Sequence, residues 1–246
     1  IDSVNSITPS EKQIAKENNF DLCDNLFKDI SKLLKAIQRA DILLIHWWNH
    51  PLLYDFLVRY PLPSSRVIIW SHISGFTPPN VFTKKIINYA DIFVLATPVS
   101  LKTKEVATLP VSKRGKIRVV WSTAGVDYVS KVKQHKHSGF NIGYIGTVDY
   151  SKLHPEFVEI CSRIKIPEAH FIICGGNDHL RIESEIKKAS LQNKFTFTGP
   201  INDISKYLSV FDVFGYPLAP YHYGTCDQVL AESMAAGVPP VVLSNM

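Results

Sequence analysis

The sequence lacks the cysteine spacing of a zinc site or of a redox motif. Its cysteines are Cys23, Cys161, Cys174 and Cys226, and no two of them are separated by two residues. Paired spacing of that kind supplies the ligands of small zinc sites and the thiols of disulfide exchange. We therefore expect no metal site and interpret the cysteines as free, buried thiols in a reducing cytoplasm.

Long apolar runs are missing as well. No run approaches the ~20 residues that a membrane-spanning helix needs, and the polar start IDSVNSITPSEK is unlike a signal peptide. The net charge of +5 favours an anionic substrate or peripheral contact with an acidic membrane surface. No basic motif with interleaved aromatic residues occurs, which argues against nucleic acid as a partner. We expect a cytoplasmic protein that can make peripheral contact with a membrane surface, and a chain cut from a longer one.

Several catalytic motifs are absent too. The sequence contains no G-K-[ST], no G-x-S-x-G and no G-x-G-x-x-G followed by an acidic residue. These absences argue against a P-loop nucleotide hydrolase, an α/β-hydrolase with a nucleophile elbow, and a typical dinucleotide-dependent oxidoreductase.

What the sequence does contain is an alternation of short apolar runs with helical patterns. This alternation predicts an α/β fold with parallel sheets covered by helices. A polar, basic segment, Lys131–Ser138, interrupts it and is interpreted as a linker. We predict two Rossmann-like, doubly wound domains, 1–134 (partial) and 139–246 (truncated at its end). The predicted strands cover residues 41–47, 66–72, 91–97, 116–122, 140–146, 169–176, 194–199, 213–219 and 238–244.

Two further local predictions complete this description of the fold. Residues 20–39 carry apolar side chains at helical spacing and are predicted to be helical. The segment SGFTPPN, residues 74–80, is predicted to be a loop because of its two prolines.

The strongest local pattern lies in Tyr223–Asn245. Thr225 and Gln228 have the spacing of a capping box, which predicts Thr225 as a helix N-cap. The free N–H groups near Cys226–Gln228 then form a site for a diphosphate. Glu232 would lie about 10 Å further along the same helix face, at a distance suited to ribose hydroxyls. The spacing alone is equally consistent with an ordinary capped helix.

The segment Glu232–Val242, ESMAAGVPPVV, resembles the end of the signature of retaining glycosyltransferases of the GT-B fold, the sucrose-synthase-like family called glycosyl transferases group 1. The resemblance covers most of 142–245 and, more faintly, 40–127. It implies metal-independent transfer of a sugar from a UDP-, GDP- or ADP-sugar to a sugar, lipid-linked or small-molecule hydroxyl acceptor, with retention and no other cofactor. No Asp-x-Asp motif occurs, which argues against a metal-bound diphosphate.

The resemblance also implies roles for residues that follow the predicted strands. Lys152 would neutralise the diphosphate leaving group, while Thr147 stands where the family has an arginine. Gly224 stands where the family has a glutamate that contacts the donor sugar, and Asp227 is taken as its partial substitute and as a catalytic residue. Glu232 would bind the ribose. The remaining donor-binding candidates are Gly146, Gly175, Gly199, Ile201, Thr225, Cys226 and Gln228, of which Gly199 and Ile201 would meet the base.

In the first domain the candidates are His72, Gly75, Trp47 and Trp48. The resemblance places His72 near the donor sugar and the acceptor, where it could assist proton movement. Trp47 and Trp48 offer faces for an acceptor, with Gly75 beside them. A single histidine at a strand end is otherwise a structural residue, and tryptophan pairs are more often part of a core.

Two other functions remain open. A nucleotide-sugar-binding module without turnover, a pseudoenzyme or regulator, is consistent with Gly224 and Thr147 at positions that depart from the family. A nucleotide-sugar epimerase would use similar domains and need no acceptor. We expect residues 1–246 by themselves to be weakly active or inactive.

Overall fold

The computed structural model describes residues 9–23, 25–123, 125–176, 179–222, 224–225 and 227–244. The chain divides into two compact units, Ile1–Trp121 and Ser122–Met246, called unit 1 and unit 2 below. The helices are α1 Pro9–Glu17, α2 Ile30–Gln38, α3 Pro51–Arg59, α4 Lys84–Tyr89, α5 Lys104–Ala107, α6 Val111–Arg114, α7 Phe157–Ser162, α8 Leu180–Lys188, α9 Ile204–Leu208 and α10 Gln228–Ala235. The strands are β1 Ile42–Trp47, β2 Arg66–Ser71, β3 Phe76–Thr77, β4 Asn80–Val81, β5 Ile92–Leu95, β6 Ile117–Val119, β7 Phe140–Ile145, β8 Ala169–Cys174, β9 Phe195–Gly199, β10 Val213–Tyr216 and β11 Pro240–Val242.

Unit 1 contains a parallel sheet with the strand order β1-β2-β5-β6. Alternate residues of β2, including Val67 and Ile69, are buried, because successive side chains of a strand point to opposite faces. Phe93 of β5 and Ile87 of α4 complete the centre of its core.

Unit 2 contains a parallel sheet with the order β11-β10-β7-β8-β9. From β7 the chain proceeds outward to β8 and β9, then returns to the other side of β7 with β10 and β11. Its core includes Tyr144, Phe171, Ile173 and Phe214. The predicted α/β class with Rossmann-like parallel sheets is confirmed, and the predicted strands are present with shorter bounds.

Two local predictions differ from the structure. Within 20–39 a 3₁₀ turn, Leu26–Lys28, precedes α2, and the Asp29 side chain starts α2 by accepting a hydrogen bond from the Lys32 N–H at 2.9 Å. The predicted loop 74–80 contains the short strand β3 and the first residue of its antiparallel partner β4. Cys161 and Cys174 are buried free thiols as expected, whereas Cys23 is exposed.

The boundary between the units falls earlier than the predicted domain end at residue 134. Val126, Val129 and Val132 pack against the core of unit 2. The Gln134 side chain donates hydrogen bonds to the carbonyls of Leu208 and Ala236, at 3.2 and 3.1 Å. The basic segment predicted as a solvated linker, Lys131–Ser138, is therefore attached through Val132 and Gln134.

Among the described residues, no helix has the length and apolar character that crossing a membrane requires.

Candidate functional site

The reversal of strand order in unit 2 defines a crevice at the carboxyl ends of β7 and β10, where ligands bind in open parallel sheets. The loops after these strands are joined by backbone hydrogen bonds. Leu153 and Leu218 form an antiparallel bridge, and the Ala219 N–H donates to the Lys152 carbonyl at 2.8 Å. The position of Lys152 is thus fixed by its main chain.

Lys152 and Asp227, which lie far apart in sequence, form an ion pair in this crevice. The Lys152 Nζ lies 3.1 Å from the Asp227 Oδ1, and the two side chains are only 18% and 17% exposed. The ammonium also lies 5.3 Å from the centre of the Tyr216 ring. A partly buried ammonium needs compensation, which the Asp227 charge and the face of the Tyr216 ring provide.

His222 belongs to the same cluster and was not predicted. Its Nδ1 accepts a hydrogen bond from the Gly224 N–H at 3.1 Å, so the neutral ring carries its proton on Nε2. The pKa of His222 is lowered from its ordinary value, chiefly by burial. The charge of Asp227 raises this pKa, and the charge of Lys152 lowers it further. A Cβ added at Gly224 would lie 2.6 Å from the His222 Cε1, so this imidazole fills the space beside position 224. The only sequence signal was a histidine in the loop that follows β10.

Two stacked tyrosines, Tyr144 and Tyr216, lie beside Lys152. Their rings stack with centroids 5.7 Å apart, and the Tyr144 hydroxyl donates to the Thr147 carbonyl at 2.7 Å. Burial, and then the charge of Asp227, raises the pKa of both phenols. Both remain neutral, and the predicted site residue Thr147 is held here through its main chain.

Three predicted glycines lie at neighbouring strand ends. Gly146 and Gly175 have φ values of 157° and 142°, and a Cβ on Gly175 would collide with the Gly146 carbonyl oxygen. Their lack of side chains therefore serves the close approach of two main chains. The Gly175 N–H donates to the Gly199 carbonyl at 2.9 Å, and the nearby Ile201 packs partly against the core.

The start of α10 differs from the prediction. The helix begins at Gln228 with Asp227 as its N-cap residue, and Thr225 lies outside it, so the predicted cap at Thr225 is wrong. The Asp227 carboxylate makes no capping hydrogen bond, because it is turned toward Lys152. Gln228 and Glu232 still share one helix face at a spacing of four. Cys226 lies outside the described residues, as do the ends of the predicted feature, Tyr223 and Asn245.

Glu232 is only 8% exposed, and its Oε1 accepts a hydrogen bond from the Tyr128 hydroxyl. Burial, and then the bond and the charge of Glu232, raises the pKa of Tyr128 to about 12. Tyr128 was not predicted. No pattern in the sequence around it indicates a partner in α10.

In unit 1, His46 and His72 meet at the carboxyl ends of β1 and β2. The His46 Nδ1 and the His72 Nε2 lie 2.8 Å apart. Trp48 stacks on His72 with ring centroids 4.3 Å apart and is 52% exposed. Burial, followed by the charge of His46, lowers the pKa of His72 to about 4, so His72 is neutral at neutral pH. His46 is a residue that the prediction missed.

Two other candidates in unit 1 are structural. Trp47 is fully buried in the core, because β1 alternates and places His46 and Trp48 on the other side, so its assignment as an acceptor contact is corrected. Gly75 has φ 84°, and a Cβ there would lie 2.5 Å from the Phe82 ring. Packing against Phe82 accounts for this glycine.

The described residues contain no group of three or more histidine, cysteine, aspartate or glutamate side chains that could hold a metal ion. The charged groups of the crevice instead form the Lys152–Asp227 pair.

The fold is that of the GT-B glycosyltransferases. TarM of S. aureus is 17% identical and has a TM-score of 0.67, covering 92% of this chain and 45% of TarM. The Anabaena protein Alr3699/HepE in complex with UDP and glucose is 13% identical, with a TM-score of 0.70 over 96% of this chain and 71% of HepE.

Residues 139–246 match the family model of glycosyl transferases group 1. A curated relative, the 2-deoxystreptamine N-acetyl-D-glucosaminyltransferase of Niallia circulans, is 31% identical over 123 residues. That match covers 48% of this chain and 31% of the relative, so the chain spans about a third of the relative's length.

Proposed function

We propose that this chain is the part of a glycosyltransferase that binds a nucleotide-sugar donor and transfers its sugar, with retention, to a hydroxyl acceptor. The observation that carries the proposal is the partly buried Lys152–Asp227 pair in the crevice between β7 and β10, next to the start of α10. A cation held there can stabilise the negative charge that grows on a diphosphate as its bond to the sugar breaks.

The diphosphate would bind between Lys152 and the first N–H groups of α10. A helix N-terminus presents unpaired N–H groups and a partial positive charge, and both favour a phosphate. Pairing of Lys152 with the diphosphate would release Asp227, whose carboxylate could then accept hydrogen bonds from hydroxyls of the donor sugar. Gly224, Thr225 and Gln228 adjoin this position in the chain.

The nucleoside would lie along α10 and the neighbouring strand ends. Glu232 would accept hydrogen bonds from the ribose, and Gly199 and Ile201 would contact the base. The similar structures of HepE and TarM contain UDP, so UDP is the first nucleoside diphosphate to test, ahead of GDP and ADP.

In unit 1 we propose that His72 assists proton movement at the acceptor hydroxyl, and that Trp48 offers its exposed face to the acceptor. Because His72 is neutral, it can accept a proton but does not begin the reaction as an acid. The similar TarM structure contains a glycerol-linked N-acetylglucosamine, and the curated relative is named a 2-deoxystreptamine N-acetyl-D-glucosaminyltransferase.

Calorimetric titration with UDP, GDP, ADP and inorganic pyrophosphate tests the donor site. Lys152→Ala should weaken binding of both a nucleoside diphosphate and pyrophosphate, by about tenfold, because a charge-assisted contact is lost. Glu232→Ala should weaken only the nucleoside diphosphate. Lys187→Ala, an exposed lysine of α8, serves as the control. Unchanged affinity in both site variants would refute the assignment.

A second candidate is a module that binds the donor without turnover, which is favoured by the absence of a side chain at Gly224. Assays of sugar transfer and of donor hydrolysis with the full-length protein separate the two functions. We further propose that catalysis needs no metal, so that transfer by the full-length protein should be unchanged by a chelator.

A further inference from the structure

Glu232 is unusual in unit 2 because its carboxylate is buried yet has no basic partner among the described residues. Its Oε1 accepts the hydrogen bond from Tyr128. Its Oε2 accepts no hydrogen bond from the described residues. This oxygen is also not one of the side-chain atoms that are fully buried without a hydrogen-bond partner, so it keeps some contact with solvent. One oxygen of the carboxylate is therefore occupied, and the other is open to a ligand.

Tyr128 is held by a turn that is anchored in the core of unit 2. Val129 is fully buried, and its N–H donates to the Val126 carbonyl at 3.0 Å. The Ser130 hydroxyl closes the turn by donating to the Asp127 carbonyl at 2.9 Å. The phenol thus reaches α10 from a fixed main chain, and its raised pKa keeps it a donor at neutral pH.

We propose that Tyr128 is a positioning residue for the ribose site: its hydroxyl holds Oε1 of Glu232, so that Oε2 is presented to the ribose hydroxyls of a nucleoside diphosphate. The proposal rests on the function proposed for Glu232. A free glutamate side chain samples many rotamers, and a hydrogen bond to one oxygen removes that freedom before the ligand binds.

The test is a double-mutant cycle with two ligands. The dissociation constants of UDP and of 2′,3′-dideoxyuridine diphosphate are measured for the unmodified chain, Tyr128→Phe, Glu232→Ala and the double variant. If GDP or ADP binds more tightly than UDP, that nucleoside diphosphate and its dideoxy analogue replace the two uridine ligands. A residue acting through Glu232 loses its effect when either Glu232 or the ribose hydroxyls are removed.

Tyr128→Phe should weaken the ribose-containing ligand by about tenfold. It should leave the dideoxy ligand nearly unchanged and have no added effect in the Glu232→Ala background. The matched control is Tyr150→Phe, which removes a hydroxyl from a second Tyr–Glu pair, with Glu185 of α8. Tyr128 is more than half exposed, so the phenylalanine variant should fold, and thermal melting checks this.

Equal weakening of both ligands would show a structural role and overturn the proposal, as would no weakening at all. If Glu232→Ala itself leaves the affinity for the ribose-containing ligand unchanged, or if none of the three bases binds, the proposed function fails and this inference falls with it. If Glu232→Ala weakens binding and Tyr128→Phe does not, only the inference on Tyr128 fails.

Discussion

At the residue scale, the crevice of unit 2 is organised around charges with limited access to water. Lys152 and Asp227 compensate each other, and His222 stays neutral beside them. Removal of one member of such a pair leaves the other charge buried without a partner, so Lys152→Ala affects stability as well as binding. Affinities of site variants should therefore be compared at temperatures well below unfolding.

Gly224 is packed closely against the ring of His222. Gly224→Ala should lower the free energy of unfolding by about 1–3 kcal/mol, because the new Cβ overlaps the His222 ring and forces it to move. Combining it with His222→Ala should recover most of that loss. Denaturant titration measures both effects.

The control for this pair of variants is Gly115→Ala, where nothing lies within 4 Å of the added Cβ. A Gly224→Ala variant as stable as the Gly115→Ala variant would contradict the overlap.

His72 should contribute a pH dependence to stability. Its pKa is about 4 in the folded chain and 6.5 when unperturbed, so the unfolded chain binds the proton more readily. The contribution of His72 is fully present above pH 6.5 and is lost as the pH falls toward 4. We expect the free energy of unfolding to fall more steeply over this range in the unmodified chain than in His72→Gln. Parallel curves for the two proteins would contradict this expectation.

At the scale of single elements, α2 shows how one side chain sets a helix start. Asp29→Ala should reduce the free energy of unfolding by about 1 kcal/mol, because the Lys32 N–H loses its acceptor. Asp29→Ser should retain most of the stability, since a serine hydroxyl also accepts this bond. Thermal melts of the three proteins provide the measurement, and equal melting temperatures for the alanine and serine variants would rule out capping as the cause.

The start of α10 shows where local reasoning fails. The sequence around Thr225 and Gln228 has the spacing of a capping box, but the helix starts later. The Asp227 carboxylate pairs with Lys152, and Thr225 lies outside the helix. The start of α10 therefore depends on Lys152, which lies in the loop after β7. A pattern confined to Tyr223–Asn245 cannot show this partner.

At the scale of the whole molecule, the boundary between the units is the main difference from the prediction. Residues 122–134 carry a fully buried side chain, Val129, and hydrogen bonds from Gln134 to unit 2. Their charge suggested a linker because composition alone does not show which side chains turn inward.

This boundary predicts the behaviour of two truncated chains. Residues 122–246 should be more stable than residues 139–246 by at least about 2 kcal/mol, because the shorter chain exposes the surface that Val126, Val129 and Val132 cover. Urea titration followed by circular dichroism compares them. Equal midpoints and slopes would show that residues 122–138 contribute nothing to the core of unit 2.

The sequence by itself predicted the strands and the helices between them, because periodicity and turn residues act through neighbours in the chain. The segment Glu232–Val242 carried the resemblance to the glycosyltransferase family. Through that resemblance the sequence also indicated Lys152 and Glu232 as candidate site residues, and their roles stay predictions. Only the tertiary structure decided which groups meet: Lys152 with Asp227, His46 with His72, and Tyr128 with Glu232, 104 residues away. These pairs depend on strand order and on the paths of loops, since a side chain far along the sequence becomes a neighbour only when the sheet brings it there.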